Sequence, residues 1–234
     1  VAWHLGARAL GDSPTIIIAV RDTVAPEEIA AALAGGAHAI EFRVDQFTQS
    51  APEAVVSAVR ARRKGPSLAT IRHAREGGAW TYSEEERLAL YRALLPEVDG
   101  VDCELESSEI CGEVFADAKA VGKLAIGSFH DFQSCPDDAR LDALVALGNS
   151  AGADIVKVAA HCASPADLRR LAAFTLRHAE RGIIVIGMGP AGTPSRVFFP
   201  ALGSLLTYTF LGEPAAPGQL NCDVMVAYLS ALYN

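Results

Sequence analysis

Eight short apolar runs, each followed by a helical pattern, constrain this chain more than any other feature. The runs fall at 15–20, 38–44, 67–72, 99–104, 123–129, 153–159, 182–188 and 204–208. Helical patterns follow at 26–34, 52–63, from Ser83 onward, 108–121, 136–148, 164–179, 195–201 and 223–232. The punctuation agrees with this parsing. Pro26 opens the first helix and Gly35 and Gly36 end it, while Ser83 with Glu86 three residues later forms a capping-box pattern. A strand–helix unit repeated at a spacing of roughly 25–30 residues predicts a parallel (β/α)8 barrel, which typically needs about 250 residues. The chain has 234. An open doubly wound sheet is the alternative, but the glycine-rich phosphate turn expected after its first strand is missing. No Pro/Gly/Ser linker divides the chain, so 1–234 is expected to form a single domain. Residues 1–13, carrying Trp3, Leu5 and Leu10, are expected to close the barrel at its N-terminal end.

Composition narrows the function. The net charge is −8, which argues against nucleic acid or an anionic membrane as partner. An anionic small molecule would therefore need locally placed arginines. The five cysteines (Cys103, Cys111, Cys135, Cys162 and Cys222) show no framework spacing and read as reduced thiols of a cytoplasmic protein. The histidines lack paired-ligand spacing, so no metal site is expected. No apolar run approaches the roughly 18 residues of a membrane span.

Within the sixth run, β-branched residues surround Lys157. Alternation places Ile155, Lys157 and Ala159 on one face and Val156 and Val158 on the other. Burial among aliphatics penalises the ammonium form and favours a free amine, the form that attacks a carbonyl to make an imine. A lysine at a strand end ordinarily snorkels into water instead, so the other strands must decide.

They place polar groups where a barrel interior would be. Glu41, Arg43 and Asp45 alternate with Ile40, Phe42 and Val44. Thr70 with Arg72, Asp102 with Glu104, and Ser128 with His130 repeat the pattern on the next three runs. Buried charges are costly unless they pair or serve a ligand, and the C-terminal ends of barrel strands are where catalytic groups sit. One such strand would read as an ordinary solvent-facing edge; four in succession do not. A single buried histidine is commonly a satisfied core residue, but beside the Lys157 strand His130 has the intrinsic acidity of a proton shuttle. Glu76 is a candidate to orient that imidazole, with Gly77 and Gly78 giving its loop freedom to approach; the alternative for this loop is an exposed charged turn. The run 187–192 looks like a phosphate-cradling loop, but its glycine spacing fits no nucleotide motif. Arg196, just beyond, is the better anion anchor.

These motifs converge. Glu41-Phe42-Arg43 with Asp45, Thr70-Ile71-Arg72 with Glu76-Gly77-Gly78, Ser128 to Phe132, and Asp154 to Val158 resemble type I 3-dehydroquinate dehydratase. So do Met188 to Arg196, Gly203 to Tyr208, and Ala216 to Gln219, in order along nearly the whole chain. The resemblance implies a (β/α)8 enzyme that dehydrates 3-dehydroquinate to 3-dehydroshikimate through a lysine Schiff base. The same step serves the shikimate pathway and quinate breakdown. By that resemblance Lys157 forms the imine, His130 is the general base, and Glu76 orients His130. Glu41, Arg43 and Arg72 bind ring hydroxyls, Arg196 and Gln219 hold the C1 carboxylate and its neighbouring hydroxyl, and Met188 and Tyr208 pack against the ring. It further implies a homodimer without metal or organic cofactor. Ala19, Ala215 and Ile186 depart from the family pattern, the first two in place of serines and the third in place of a methionine. The run 214–219 is expected to be a candidate lid. The competing expectations are a different lysine-imine aldolase, which should carry a phosphate nest after strands seven and eight, and a non-enzymatic barrel.

Overall fold

The computed structural model describes residues 2–212 and 218–233. Eight parallel strands form the barrel: β3 (Thr15–Val20), β4 (Ala39–Arg43), β5 (Ser67–Thr70), β6 (Gly100–Glu104), β7 (Leu124–Asp131), β8 (Ile155–His161), β9 (Ile183–Met188) and β10 (Leu206–Phe210). Their order is β10-β3-β4-β5-β6-β7-β8-β9, so each strand lies beside its sequence neighbour and the last lies beside the first. The remaining seam closes where Ile183 bridges Ser204 and the Leu205 N–H donates to the Ile183 carbonyl at 2.9 Å. Around the ring lie α1 (Pro26–Ala34), α2 (Pro52–Arg62), α3 (Glu84–Leu94), α4 (Cys111–Ala120), α5 (Asp138–Ala151), α6 (Pro165–His178), α7 (Ser195–Phe198) and α8 (Cys222–Tyr233). The expected (β/α)8 architecture is therefore the observed one. No helix among the described residues is long and apolar enough to cross a membrane. The five cysteines are free thiols, as their spacing suggested.

Two apolar layers follow from strand alternation. Outward residues such as Ile18, Phe42, Val101 and Val156 pack against Ile29, Leu94, Phe115 and Phe174 of the helices. Inward residues Ile17, Leu68, Leu124, Ile155 and Ile184 fill the lower half of the barrel. Below them, β1 (Trp3–Leu5) and β2 (Arg8–Leu10) form an antiparallel hairpin whose Leu5 and Leu10 join that cluster. The floor is thus mainly apolar, and the inward-facing charged strand residues stand above it.

Element boundaries depart from the sequence expectation where side chains claim the backbone. The third strand ends at Thr70 rather than at 72, because the Ile71 N–H donates to the Tyr91 hydroxyl at 3.2 Å instead of continuing the ladder. The chain then folds back, with the Trp80 N–H donating to the Arg72 carbonyl at 3.1 Å. The eighth strand begins at Leu206 rather than 204, since the Ser204 hydroxyl is used to accept the Val185 N–H at 3.0 Å. Strands β7 and β8 instead run past their expected ends, pairing as far as Asp131 and Ala160, and so carry His130 on regular strand.

Candidate active site

Above the apolar floor the inward positions turn polar, and β8 places Lys157 in the middle of them. Lys157 is 4% exposed and stands level with Ser128 across the β7–β8 pair. Its Nζ lies 2.9 Å from Asp102 Oδ2 and 3.5 Å from Glu41 Oε1, and 4.0 Å from the centre of the Tyr208 ring. The desolvated aliphatic setting expected from the sequence is therefore corrected. The flanking valines face the helices, while the lysine itself faces two carboxylates and an aromatic face. Inward alternation on β4 and β6 is what delivers both acids. The Glu41 carboxylate also accepts from the Thr70 hydroxyl at 2.9 Å.

Asp102 is the hub. Arg72 Nη2 pairs with its Oδ1 at 2.8 Å and the Ser128 hydroxyl donates to the same oxygen at 2.6 Å. Burial opposes the Asp102 charge, but Arg72 and Lys157 outweigh it and hold the carboxyl well below the usual carboxylate range. Arg72 also reaches Ser128 at 2.6 Å and Glu104 at 3.1 Å. The sequence identifies Asp102 and Glu104 only as inward-facing acids; strand parity gives their direction but not their partners.

His130 and Glu76 meet over the next layer. Glu76 Oε2 accepts the backbone N–H of His130 at 2.8 Å and lies 3.0 Å from its Nδ1. With that oxygen assigned as acceptor from the ring as well as from the amide, the imidazole carries its proton on Nδ1 and leaves Nε2 to take another. Burial, reinforced by Arg72 and Lys157, holds His130 well below the usual histidine range, so the imidazole rests neutral. Burial pushes Glu76 up to about 8, against the pull of Arg72.

The loop carrying Glu76 corrects a second expectation. Its glycines supply fit rather than freedom. Gly77 has φ 75°, and a Cβ on Gly78 would lie 2.0 Å from the Arg72 carbonyl oxygen. Only a chain without side chains there can fold back closely enough to bring Glu76 over β7. The run 187–192 is likewise a self-packed turn, since a Cβ on Gly192 would lie 2.4 Å from the Gly187 carbonyl carbon.

At the rim Arg43 is held by Asp45 through two hydrogen bonds of 3.0 and 2.8 Å. Arg196, 2% exposed at the start of α7, directs Nη1 towards the Tyr208 carbonyl at 3.5 Å. Burial lowers it to about 10, a cost that an anion in the cavity would offset. The ten residues singled out from the sequence line one cavity of about 550 Å³ including its open mouth, together with Ala19 and Ile186. Met188 and Tyr208 are buried in its wall and Gln219 is half-buried. Ala215, and most of the expected lid at 214–219, lie outside the described residues.

Fold and site together define a (β/α)8 enzyme whose cavity is built around one ion-paired lysine with a carboxyl-oriented imidazole beside it. The model of the type I 3-dehydroquinase family matches residues 16–234. A 3-dehydroquinate dehydratase of Thermodesulfovibrio yellowstonii is 33% identical over 229 residues, covering 93% of this chain and 95% of the relative. That of Pyrobaculum aerophilum is 37% identical over 211 residues, covering 88% and 67%. The crystal structure of 3-dehydroquinate dehydratase from Geobacillus kaustophilus superposes with a TM-score of 0.91 at 27% identity, over 99% of this chain and 96% of that one. The chain belongs to the type I 3-dehydroquinase family.

Proposed function

We propose that this chain converts 3-dehydroquinate to 3-dehydroshikimate through an imine on Lys157, with His130 moving the proton. The observation that carries this reading is Lys157 Nζ held 2.9 Å from Asp102 in the cavity that His130 also lines. The amine, once it has lost a proton, adds to the C3 ketone, and loss of water gives a protonated imine. Its positive charge stands where the resting ammonium stood, so Asp102 is already oriented to stabilise it. His130 Nε2 takes a proton from C2, and the electron pair runs into the imine to give an enamine. The enamine expels the C1 hydroxyl, which leaves as water with the proton returned by His130. A water molecule then hydrolyses the conjugated imine, freeing product and lysine. The net change is loss of one water.

Glu41, Arg43 and Arg72 are placed to meet the ring hydroxyls, and Met188 and Tyr208 to pack against the ring. Arg196 and Gln219 are assigned the C1 carboxylate and hydroxyl, the planar guanidinium suiting a carboxylate. Ala19 offers that wall no hydroxyl. No metal or organic cofactor is assigned to this chemistry. We take 1–234 as one catalytic domain in which 1–13 closes the floor, and the protein as a cytoplasmic homodimer. Val224, Tyr228 and Leu232 support the dimer: spaced one turn apart on α8, they are all exposed. Incubation with 3-dehydroquinate is expected to raise the ultraviolet absorbance of the conjugated enone; no change with folded protein would overturn the reading.

The pH dependence has a definite sign. Oε2 of Glu76 already accepts two N–H groups, so below about pH 8 the carboxyl proton resides on Oε1. In that form the imidazolium made by proton abstraction faces a neutral carboxyl; above it, a carboxylate. We expect kcat/KM, which reports the free enzyme, to rise with pH through an inflection near 8. Glu76→Gln keeps the acceptor geometry but not the charge. Its profile is expected to lose that inflection and stay at the low level.

A further inference from the structure

We propose that Arg87, on the outer helix layer and away from the cavity, is a positioning residue for both the lysine and the histidine, acting through Glu104. This rests on the roles proposed above for Lys157 and His130. Arg87 lies at the end of the first turn of α3, whose opening sequence, Glu84-Glu85-Glu86-Arg87, reads as a solvent-facing charged run, yet it is fully buried. Its guanidinium points inward to Glu104 Oε2, with Glu84 at 3.3 Å and the Cys103 sulfur at 3.5 Å as its other polar contacts. Tyr91 packs alongside, its ring centre 6.0 Å from the guanidinium carbon.

Glu104 divides its two oxygens between layers. Oε2 is taken by Arg87, which leaves Oε1 to face the site. That inner oxygen accepts the His73 N–H at 2.8 Å and pairs with Arg72 Nη1 at 3.1 Å. The first contact anchors the start of the turn Ala74–Glu76, since the Glu76 N–H in turn donates to the His73 carbonyl at 3.0 Å. The second leads through Arg72 to Asp102 at 2.8 Å and from Asp102 to Lys157 at 2.9 Å. One guanidinium outside the barrel therefore fixes the branch point from which both reacting groups are held.

Stability alone does not account for an arginine here. Its Nε is buried without a hydrogen-bond partner, and an apolar side chain of similar volume would fill the space without desolvating a charge. What an apolar residue cannot do is hold Glu104 by one oxygen. Without Arg87, Glu104 keeps Arg72 as its cation and draws it away from Asp102. The charges facing Glu76 are Arg72, Glu104 and Glu106, so a less neutralised Glu104 also makes Glu76 harder to ionise.

The test compares Arg87→Met, Arg87→Lys and the double variant Arg87→Met with Glu104→Gln. Misplacement of this kind is expected to lower kcat of Arg87→Met by about 10- to 100-fold. The KM for 3-dehydroquinate is expected to stay within about 3-fold, because no group touching substrate is removed. The inflection in kcat/KM should move above its wild-type position in Arg87→Met and return towards it in Arg87→Lys. The double variant buries no uncompensated charge, so it reports on the inference even if Arg87→Met does not fold. It should keep the low kcat while its inflection falls below that of Arg87→Met or, failing that variant, below wild type. Wild-type kcat and inflection in either Met variant, or losses that follow only the folded fraction, would overturn the inference. Borohydride trapping separates the two layers of the reading. A wild-type enzyme that is not trapped on Lys157 defeats the proposed mechanism, whereas trapping with indifferent Arg87 variants defeats the role of Arg87 alone.

Discussion

Borohydride added during turnover of 3-dehydroquinate is expected to fix substrate covalently to Lys157, and Lys157→Ala is expected to abolish both the adduct and turnover. The loss of turnover should reach at least about 10⁴-fold, as for other covalent nucleophiles whose removal ends the pathway itself. The geometry explains why no neighbouring group substitutes. Lys157 is the sole lysine lining the cavity among the described residues, and the cations beside it are arginines, which do not form imines at neutral pH. Removing the ammonium leaves Asp102 still paired with Arg72 at 2.8 Å and bonded to Ser128 at 2.6 Å, while Glu41 loses its lysine partner and keeps the Thr70 hydroxyl at 2.9 Å. Mass spectrometry of the reduced protein reads the outcome directly, and an adduct on another lysine would end the assignment.

His130→Ala is expected to lower turnover by about 10²–10⁴-fold while trapping on Lys157 persists. The two observables separate because the proposed roles of the two residues differ. Imine formation needs the amine and the ketone, whereas removal of the C2 proton needs a base. The substitution leaves the loop in place, since the backbone N–H of residue 130 still donates to Glu76 Oε2, a bond of 2.8 Å in the wild type. Full activity in His130→Ala would exclude the imidazole as the base. Loss of trapping together with turnover would instead place it in imine formation.

Much of this architecture is legible in the sequence alone. The first strand and first helix fall at Thr15–Val20 and Pro26–Ala34 as read, because a buried β-branched run and a Pro26 start with a Gly35 end are local signals. The inward set Glu41, Arg43, Arg72 and His130 was also visible, since alternation in a strand assigns a side without reference to partners. The aliphatic setting drawn for Lys157 was wrong for the complementary reason. Val156 and Val158 are its sequence neighbours, but alternation sends them to the other side of the sheet. The groups it touches come from β4, β6 and β10.

Arg87 shows the same limit from the helix side. In a run of glutamates nothing local distinguishes a solvated arginine from one that turns inward, and the distinction depends on a carboxylate on a different strand, Glu104. The glycines at 77 and 78 read as flexible, whereas the surface they pack on makes them obligatory.

The amino-acid order determined by itself the number of strand–helix units, the side each strand residue faces and the inventory of ionisable groups inside. These are properties of period and spacing within a few residues. The tertiary structure decided which charges meet. Lys157 finds Asp102 from 55 residues away and Glu76 finds His130 from 54, and those encounters depend on strand register and loop path. Pairing sets the electrostatics of the cavity because a buried charge is governed by its nearest opposite charge, which local sequence does not specify.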